Sequence, residues 1–203
     1  QEILGKKGDD VRIDWGYFYM AADKENSSCA TGEGKTLRKS FIDGKLTSSK
    51  TDGSDKLALV RSLGETKKAE GHLLLGYDDL YSIQYFGENL RPYWNRNGNE
   101  TIQSQFAKAD KEYDAVMDKC AAFDANLMKE ATEVGGRKYA ELCALAYRQA
   151  IAAHKLVEAP NKDLLFLSKE NFSNGSIGTV DITYPSAPLF LVYNPELAKG
   201  LMN

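Results

Sequence analysis

The densest group of side chains able to do chemistry lies in residues 168–181, a polar stretch between two apolar segments. Glu170 and Asp181 are two carboxylates that can act as an acid and base pair, and Lys169 can lower a carboxylate pKa or hold an anion. Asn174 adds an amide that can bind a polar substrate. Polar loops on a rigid scaffold often carry binding groups, although their Asn and Ser side chains also cap the backbone of ordinary connections.

Two further pairs of charged residues are candidates for a site. Asp78 and Asp79 follow a predicted strand, but neighbours on a strand point to opposite faces, so at most one serves a given site. Glu141 and Arg148 lie seven residues apart and share one face of a predicted helix. They form either an ion pair that orients neighbouring helices or part of the wall of a cavity.

His154 is interpreted as a packed or helix-end histidine.

Several familiar motifs are excluded. Residues 32–36 resemble the end of a phosphate-binding loop, but Cys29 stands where that pattern needs a glycine. No Gly-X-Ser-X-Gly sequence is present to support a serine hydrolase. Three cysteines and two histidines are too few for a disulfide scaffold or a His-rich metal site. We therefore expect no metal and no other cofactor.

Composition narrows the class of protein. The 203 residues are 42% hydrophobic and 10% aromatic, which is enough for a core and excludes a disordered chain. The 26 basic and 29 acidic residues give no reason to expect nucleic acid as a partner. No apolar run approaches the roughly 18 residues of a spanning helix, so no membrane partner is expected either. Composition therefore predicts a soluble, globular protein.

A strand-like pattern covers residues 9–96. Val11–Met20 begins with apolar and polar alternation and is rich in β-branched and aromatic residues. Further short strands are predicted around Leu37–Ile42, Leu57–Leu63 and Ala69–Tyr77, among glycine-containing turns. Four short strands favour an antiparallel β module.

From residue 99 the apolar residues recur every three or four positions, which predicts helices. A long amphipathic helix from Ile102 ends at Gly135-Gly136, and a second helix runs from Arg137 to about Val157. The short break makes the pair an antiparallel hairpin. The second helix is apolar nearly all round, which predicts burial. An outer amphipathic helix paired with an inner buried helix is the repeating unit of an α/α toroid.

Several long motifs of this sequence resemble the glutaminase A family of fungi and Bacteroides-type bacteria. They are Arg12–Tyr17, Leu74–Phe86, Arg91–Arg96, Tyr139–Leu142, Ala146–Gln149 and Ser168–Pro185. The resemblance covers nearly the whole chain apart from residues 24–56. It implies an N-terminal β-sandwich, a C-terminal six-hairpin (α/α) toroid like those of glycosidases, a secreted or periplasmic location, and hydrolysis of L-glutamine to L-glutamate and ammonia.

The resemblance also frames the expected fold class, which is α+β. Residues 1–96 are expected to be the C-terminal part of a β-sandwich-like module, an antiparallel β module. Residues 97–203 are expected to be the first helical hairpins of an incomplete (α/α)6 toroid. A helix that starts at Asn194-Pro195, close to the last residue, suggests a piece of a longer protein. The rest of that protein is then a partner, and no activity is expected from these residues alone.

Glutamine as a substrate assigns roles to the candidate residues. Glu170 and Asp181 are the predicted catalytic pair. Arg148 or Lys169 is expected to hold the substrate α-carboxylate, and Asp79 its ammonium group. Two alternatives stay open. One is a glycoside-hydrolase-like enzyme that uses its two carboxylates on a carbohydrate. The other is a non-catalytic structural or binding fragment.

Overall fold

A computed structural model describes residue 3 and residues 15–48, 56–169 and 176–203. The strands are β1 (Tyr17–Ala21), β2 (Ser27–Gly32), β3 (Lys56–Arg61), β4 (Leu74–Asp78), β5 (Ile83–Tyr85), β6 (Glu88–Leu90), β7 (His154–Glu158) and β8 (Leu164–Ser168). The helices are α1 (Gly34–Ile42), α2 (Ile102–Lys111), α3 (Tyr113–Gly135), α4 (Arg137–Ala152), α5 (Val180–Tyr193) and α6 (Pro195–Met202), with a 3-10 turn at Tyr93–Asn95.

The chain forms two compact units, one of Phe18–Tyr77 and one of the remaining residues. This division differs from the predicted boundary between residues 96 and 97. The reason is that strands β5 and β6 belong to the core of the larger unit, where Ile83 and Leu90 pack with Val157. The domain boundary of the longer protein stays a prediction.

Helix α1 of the smaller unit corrects the prediction of a strand over Leu37–Ile42. The carboxylate of Glu33 accepts two backbone N–H groups of the first turn, which caps the helix start. Leu37 and Phe41, one turn apart, then line a groove against strand β3. Burial of Leu37 and the cap together favour a helix over a strand, while Phe41 stays 58% exposed.

The strands of the smaller unit pair in twos. Strand β2 pairs antiparallel with β3, and β1 pairs with β4. The strands predicted around Leu57–Leu63 and Ala69–Tyr77 correspond to β3 and β4, and the end of Val11–Met20 corresponds to β1. Residues 11–14 lie outside the described residues. Strand β2 was not predicted, because its short polar side chains carry little strand signal before β3 pairs with them.

The β7–β8 ribbon is the centre of the larger unit. Its antiparallel register places His154 opposite Ser168 and Val157 opposite Leu165. Side chains alternate between the two faces of the ribbon. One face buries Val157 and Leu165 against β5 and β6, while the other buries Phe166 against α5 and α6. Because both faces are covered, the ribbon is a rigid base for any side chain at its ends.

A helical hairpin precedes this ribbon. The predicted long helix is divided into α2 and α3 by a break at Glu112. Helix α3 then ends as expected, since Gly136 adopts a φ of +78°, a conformation that glycine tolerates. Helices α3 and α4 pack against each other. The predicted αα-hairpin is therefore present.

The end of the second helix was predicted wrongly. Helix α4 ends at Ala152, and His154–Glu158 forms strand β7 instead of continuing to Val157 as a helix. The physical reason is the partner strand, Leu164–Ser168, which supplies backbone hydrogen bonds along five residue pairs. Val157 is completely buried by this pairing.

Helix α4 is less buried than its composition predicted. Among the described residues, Ala140 is its buried position, while Leu142 is 61% exposed and Leu145 is 48% exposed. Glu141 forms its ion pair with Arg137 at 3.0 Å, one turn away, and not with Arg148. Of the two alternatives for Glu141 and Arg148, the ion pair is therefore wrong, and a cavity wall that includes Arg148 stays a prediction.

Helices and small antiparallel strand pairs together confirm the α+β class. Each sheet among the described residues has two strands, so the β-sandwich stays a prediction. None of the helices in the described ranges is both long and apolar enough to cross a membrane.

Candidate functional site

Asp79 lies directly after strand β4 and is 3% exposed. Its Oδ1 accepts a hydrogen bond from Ser82 Oγ at 3.0 Å, and its Oδ2 accepts one from Lys155 Nζ at 2.9 Å. Both carboxylate oxygens therefore have a partner within the protein. The Asp79 carboxylate is buried, whereas the Lys155 side chain is 28% exposed, so the pair is partly buried. Its contact is charge-assisted, and removal of Lys155 leaves the Asp79 charge buried without its cation.

The backbone around Asp79 is shaped by its neighbours. Asp78 Oδ1 accepts the N–H of Leu80 at 2.9 Å, and Leu80 adopts a φ of +62°. The Trp15 indole N–H donates to the carbonyl oxygens of Asp79 and Tyr81 at 2.9 and 3.1 Å. These contacts lock the turn that aims the Asp79 carboxylate, and they tie it to a residue 64 positions earlier.

Gly16 allows this close approach. It has a φ of +97°, and a Cβ at this position would lie 2.8 Å from the Cα of Asp79. Any other side chain would be strained by the backbone conformation and would collide with the turn. The Trp15-Gly16 pair therefore holds the turn by a hydrogen bond and by backbone contact.

Lys155 and Lys169 come from the same face of the β7–β8 ribbon. Lys155 lies opposite Leu167, and the next position along that face is Lys169, whose N–H donates to Ala153 O at 2.9 Å. Lys169 is 5% exposed, and its Nζ lies 5.6 Å from the centre of a Trp15 ring. Burial lowers the pKa of Lys169, the charge of Lys155 lowers it further, and Asp79 raises it.

We refer to these side chains as the buried polar cluster: Trp15, Asp79, Ser82, Lys155 and Lys169. Ser82 is 1% exposed and donates to Asp79, so its hydroxyl supports the carboxylate. The described residues contain no group of three or more metal-ligating side chains. Two ammonium groups against one carboxylate suit the cluster to an anion.

The base of the predicted site loop adjoins this cluster. Gly178 N–H donates to Ser168 O at 2.9 Å, and Thr179 N–H donates to Ser168 Oγ at 3.2 Å. These bonds close the loop directly beside Lys169. Residues 170–175, which include Glu170 and Asn174, lie outside the described residues.

The structure brings together only some of the predicted site residues that it describes. Asp79 and Lys169 belong to one buried cluster. Asp181 lies in the first turn of helix α5 and is exposed. Arg148 lies elsewhere, in an open groove of about 750 Å³ between α3 and α4, which Asp124 and Tyr147 also line. The roles of these residues remain predictions, as does the pairing of Asp181 with Glu170.

Three residues of the cluster were missed as site residues. Trp15 belongs to a motif that carried the family resemblance, but it was interpreted as part of a strand. Lys155 was placed on a helix, although its alternation with buried Val157 is a strand signal. Ser82 follows the Asp78-Asp79 pair by three residues, within reach of a local side-chain hydrogen bond.

The larger unit thus combines a helical hairpin with the buried polar cluster, and comparisons of the sequence with known families identify its class. Residues 1–130 match a domain of unknown function, DUF5127, and residues 136–203 match the Glutaminase A six helical-hairpin domain. The chain belongs to the glutaminase A family. This finding confirms the resemblance derived from the motifs.

Two curated relatives are similar to the chain. Glutaminase A of Aspergillus oryzae is 29% identical over 205 residues, which covers 94% of this chain and 30% of the relative. A protein described as a probable glutaminase, from Arthroderma benhamiae, is 37% identical over 80 residues, 39% of this chain and 9% of the relative. The chain thus spans less than a third of either relative. No solved structure matches it significantly.

Proposed function

We propose that the complete protein containing this chain hydrolyses L-glutamine to L-glutamate and ammonia, and that this chain supplies part of the substrate site. The observation that carries the proposal is the similarity over 94% of the chain to a protein named glutaminase A, together with the match of residues 136–203 to the six helical-hairpin domain. The substrate is accordingly a small molecule.

Hydrolysis of an amide needs an activated water or nucleophile, a proton donor for the departing ammonia, and donors to the oxyanion. In the proposal, Glu170 and Asp181 act as the acid and base. Arg148 or Lys169 binds the α-carboxylate. The buried polar cluster supports this assignment, because it offers a cation in surroundings from which water is largely excluded.

The test is the release of ammonia from L-glutamine by the complete protein, with L-asparagine as a matched amide control. We expect turnover of glutamine that exceeds turnover of asparagine. Oligosaccharides are assayed in parallel for the release of reducing ends. Release of reducing sugar without ammonia would replace the proposal by a glycosidase, and silence in both assays would favour a structural module.

The proposal includes a secreted or periplasmic location, which rests on the family resemblance alone. Fractionation of cells that produce the complete protein tests this location. Recovery of the protein from the cytoplasm would contradict it.

A further inference from the structure

The two lysines of the buried polar cluster differ in their ion pairs. Lys155 has the Asp79 carboxylate at 2.9 Å. Within the part of the chain that the structure describes, no carboxylate lies within ion-pair distance of Lys169, and its Nζ lies 5.6 Å from the centre of a Trp15 ring. The neighbouring carboxylate of Asp78 accepts the N–H of Leu80. A buried cation without an anionic partner is costly, because it has lost its hydration.

From this geometry we propose that Lys169 binds the α-carboxylate of the substrate, while the Asp79–Lys155 ion pair positions it and does not itself bind substrate. The proposal rests on the proposed glutamine hydrolysis. It replaces the expectation that Asp79 holds the substrate ammonium group, since both Asp79 oxygens already accept hydrogen bonds from Ser82 and Lys155.

Lys169 is favoured over Arg148 by burial. Arg148 is exposed on α4, where water screens its charge. The Coulomb attraction between a carboxylate and a cation at the same distance is stronger in the lower dielectric of a buried site than in bulk water. The same substrate carboxylate therefore gains more from Lys169.

Lys155 acts as a positioning residue in this arrangement. Its ion pair with Asp79 keeps the Asp79 carboxylate from forming an ion pair with the neighbouring Lys169 instead. In a Lys155→Met variant, Asp79 is left unpaired and attracts the Lys169 ammonium group. We therefore expect Lys155→Met to raise KM for glutamine although Lys169 itself is intact. The Lys155→Arg variant, which keeps the positive charge, should have a KM close to that of the wild type.

The first test compares two substrates of the complete protein. L-Glutamine and 4-aminobutanamide share the amide and the amine, but only glutamine has a carboxylate. We expect Lys169→Met to lower kcat/KM about 100-fold for glutamine and to leave 4-aminobutanamide within about 3-fold, since only glutamine has a carboxylate that loses its buried cation. Lys199→Met, at an exposed lysine of α6, is the matched control. Equal losses for both substrates, or no loss for glutamine, would overturn the proposal.

The second test needs neither activity nor a variant that folds. Glutarate, a dicarboxylate without an amine, is added to the wild-type complete protein before acylation of lysines with acetic anhydride. We expect glutarate to slow the acylation of Lys169 while that of Lys199 is unchanged. Protection of Lys169 in a protein that does not hydrolyse glutamine would refute the proposed function and preserve the anion site. Unprotected Lys169 in an active glutaminase would refute the site alone.

Discussion

At the scale of single residues, Asp79 illustrates how burial changes the role of a side chain. An exposed carboxylate binds ammonium groups of substrates, whereas Asp79 already binds Lys155 and Ser82. Lys169, which follows strand β8, lies close enough to this pair to feel the charges of Asp79 and Lys155. The residue types alone are equally compatible with either role, because only burial and hydrogen-bond partners separate a binding group from a positioning group.

Glu170 is the proposed general acid or base, and its substitution tests the catalytic assignment. We expect Glu170→Gln to lower kcat for glutamine by about 10²–10⁴-fold, the usual contribution of a positioned acid or base. Glu196→Gln, in the exposed first turn of α6, is the control and is expected to leave kcat unchanged. Wild-type turnover of the Glu170→Gln variant would remove Glu170 from the mechanism.

His154 makes folding depend on pH. It is 8% exposed, its ring stacks on Phe166 with centroids 4.5 Å apart, and burial lowers its pKa, although the bond with Ala150 O raises it. The unfolded chain, with a histidine pKa near 6.5, therefore takes up a proton first as the pH falls. This contribution to stability is complete above about pH 6.5 and is lost below it.

We accordingly expect the urea midpoint of the wild-type chain to fall between pH 7.5 and pH 5. In His154→Phe the fall should be smaller, because this position no longer titrates. His72→Phe, in the other compact unit, controls for the remaining histidine. An equal fall in the wild type and His154→Phe would contradict the assignment.

Gly16 tests the backbone contact at the Asp79 turn. Gly16→Ala adds a Cβ 2.8 Å from Asp79 Cα at a φ of +97°. We expect a loss of about 1–3 kcal/mol from the collision, beyond the cost of the positive φ. Gly87→Ala separates the two effects, since Gly87 has a φ of +87° with no atom within 4 Å of the added Cβ. Urea unfolding measures both, and similar losses would argue against the close contact.

At the scale of elements, the β7–β8 ribbon holds the cluster in place. Leu165 is 1% exposed and packs with Ile83 and Val157. We expect Leu165→Ala to lower the free energy of unfolding by about 3 kcal/mol, since the cavity cannot fully collapse. Leu191→Ala on α5, where the side chain is 62% exposed, should change it by less than about 0.5 kcal/mol. Equal effects in denaturant titrations would show that the ribbon is not a core element.

Element prediction succeeded where local signals were sufficient. The helical hairpin was found because apolar residues recur at helical spacing and Gly136 supplies the turn. The prediction from sequence was wrong at β7 and at α1, because contacts with other elements outweighed the local pattern there. For β7 these contacts are the pairing with β8. For α1 they are the packing of the helix against β2 and β3, which buries Leu37.

At the scale of the whole molecule, the chain leaves apolar helix surfaces exposed. Tyr184 on α5 is 81% exposed, Val192 is 74% exposed, and Leu142 on α4 is 61% exposed. The chain covers 30% of the Aspergillus relative. We expect these 203 residues alone to release no ammonia from glutamine, with the complete protein as the positive control. Measurable hydrolysis by the chain alone would show that the site needs nothing further.

The amino-acid sequence by itself determined the family, the α+β class and the hairpin, because motifs and periodicity are properties of neighbouring residues. It also pointed to Asp79 and Lys169. Only the tertiary structure decided that these two share a cluster with Lys155 and Trp15, which lie 76 and 64 residues from Asp79. Burial and ion pairing depend on contacts between such distant segments. No local pattern in the sequence predicts burial or ion pairing between such segments. These two properties distinguish Lys169, the proposed binding residue, from Asp79 and Lys155, which position it.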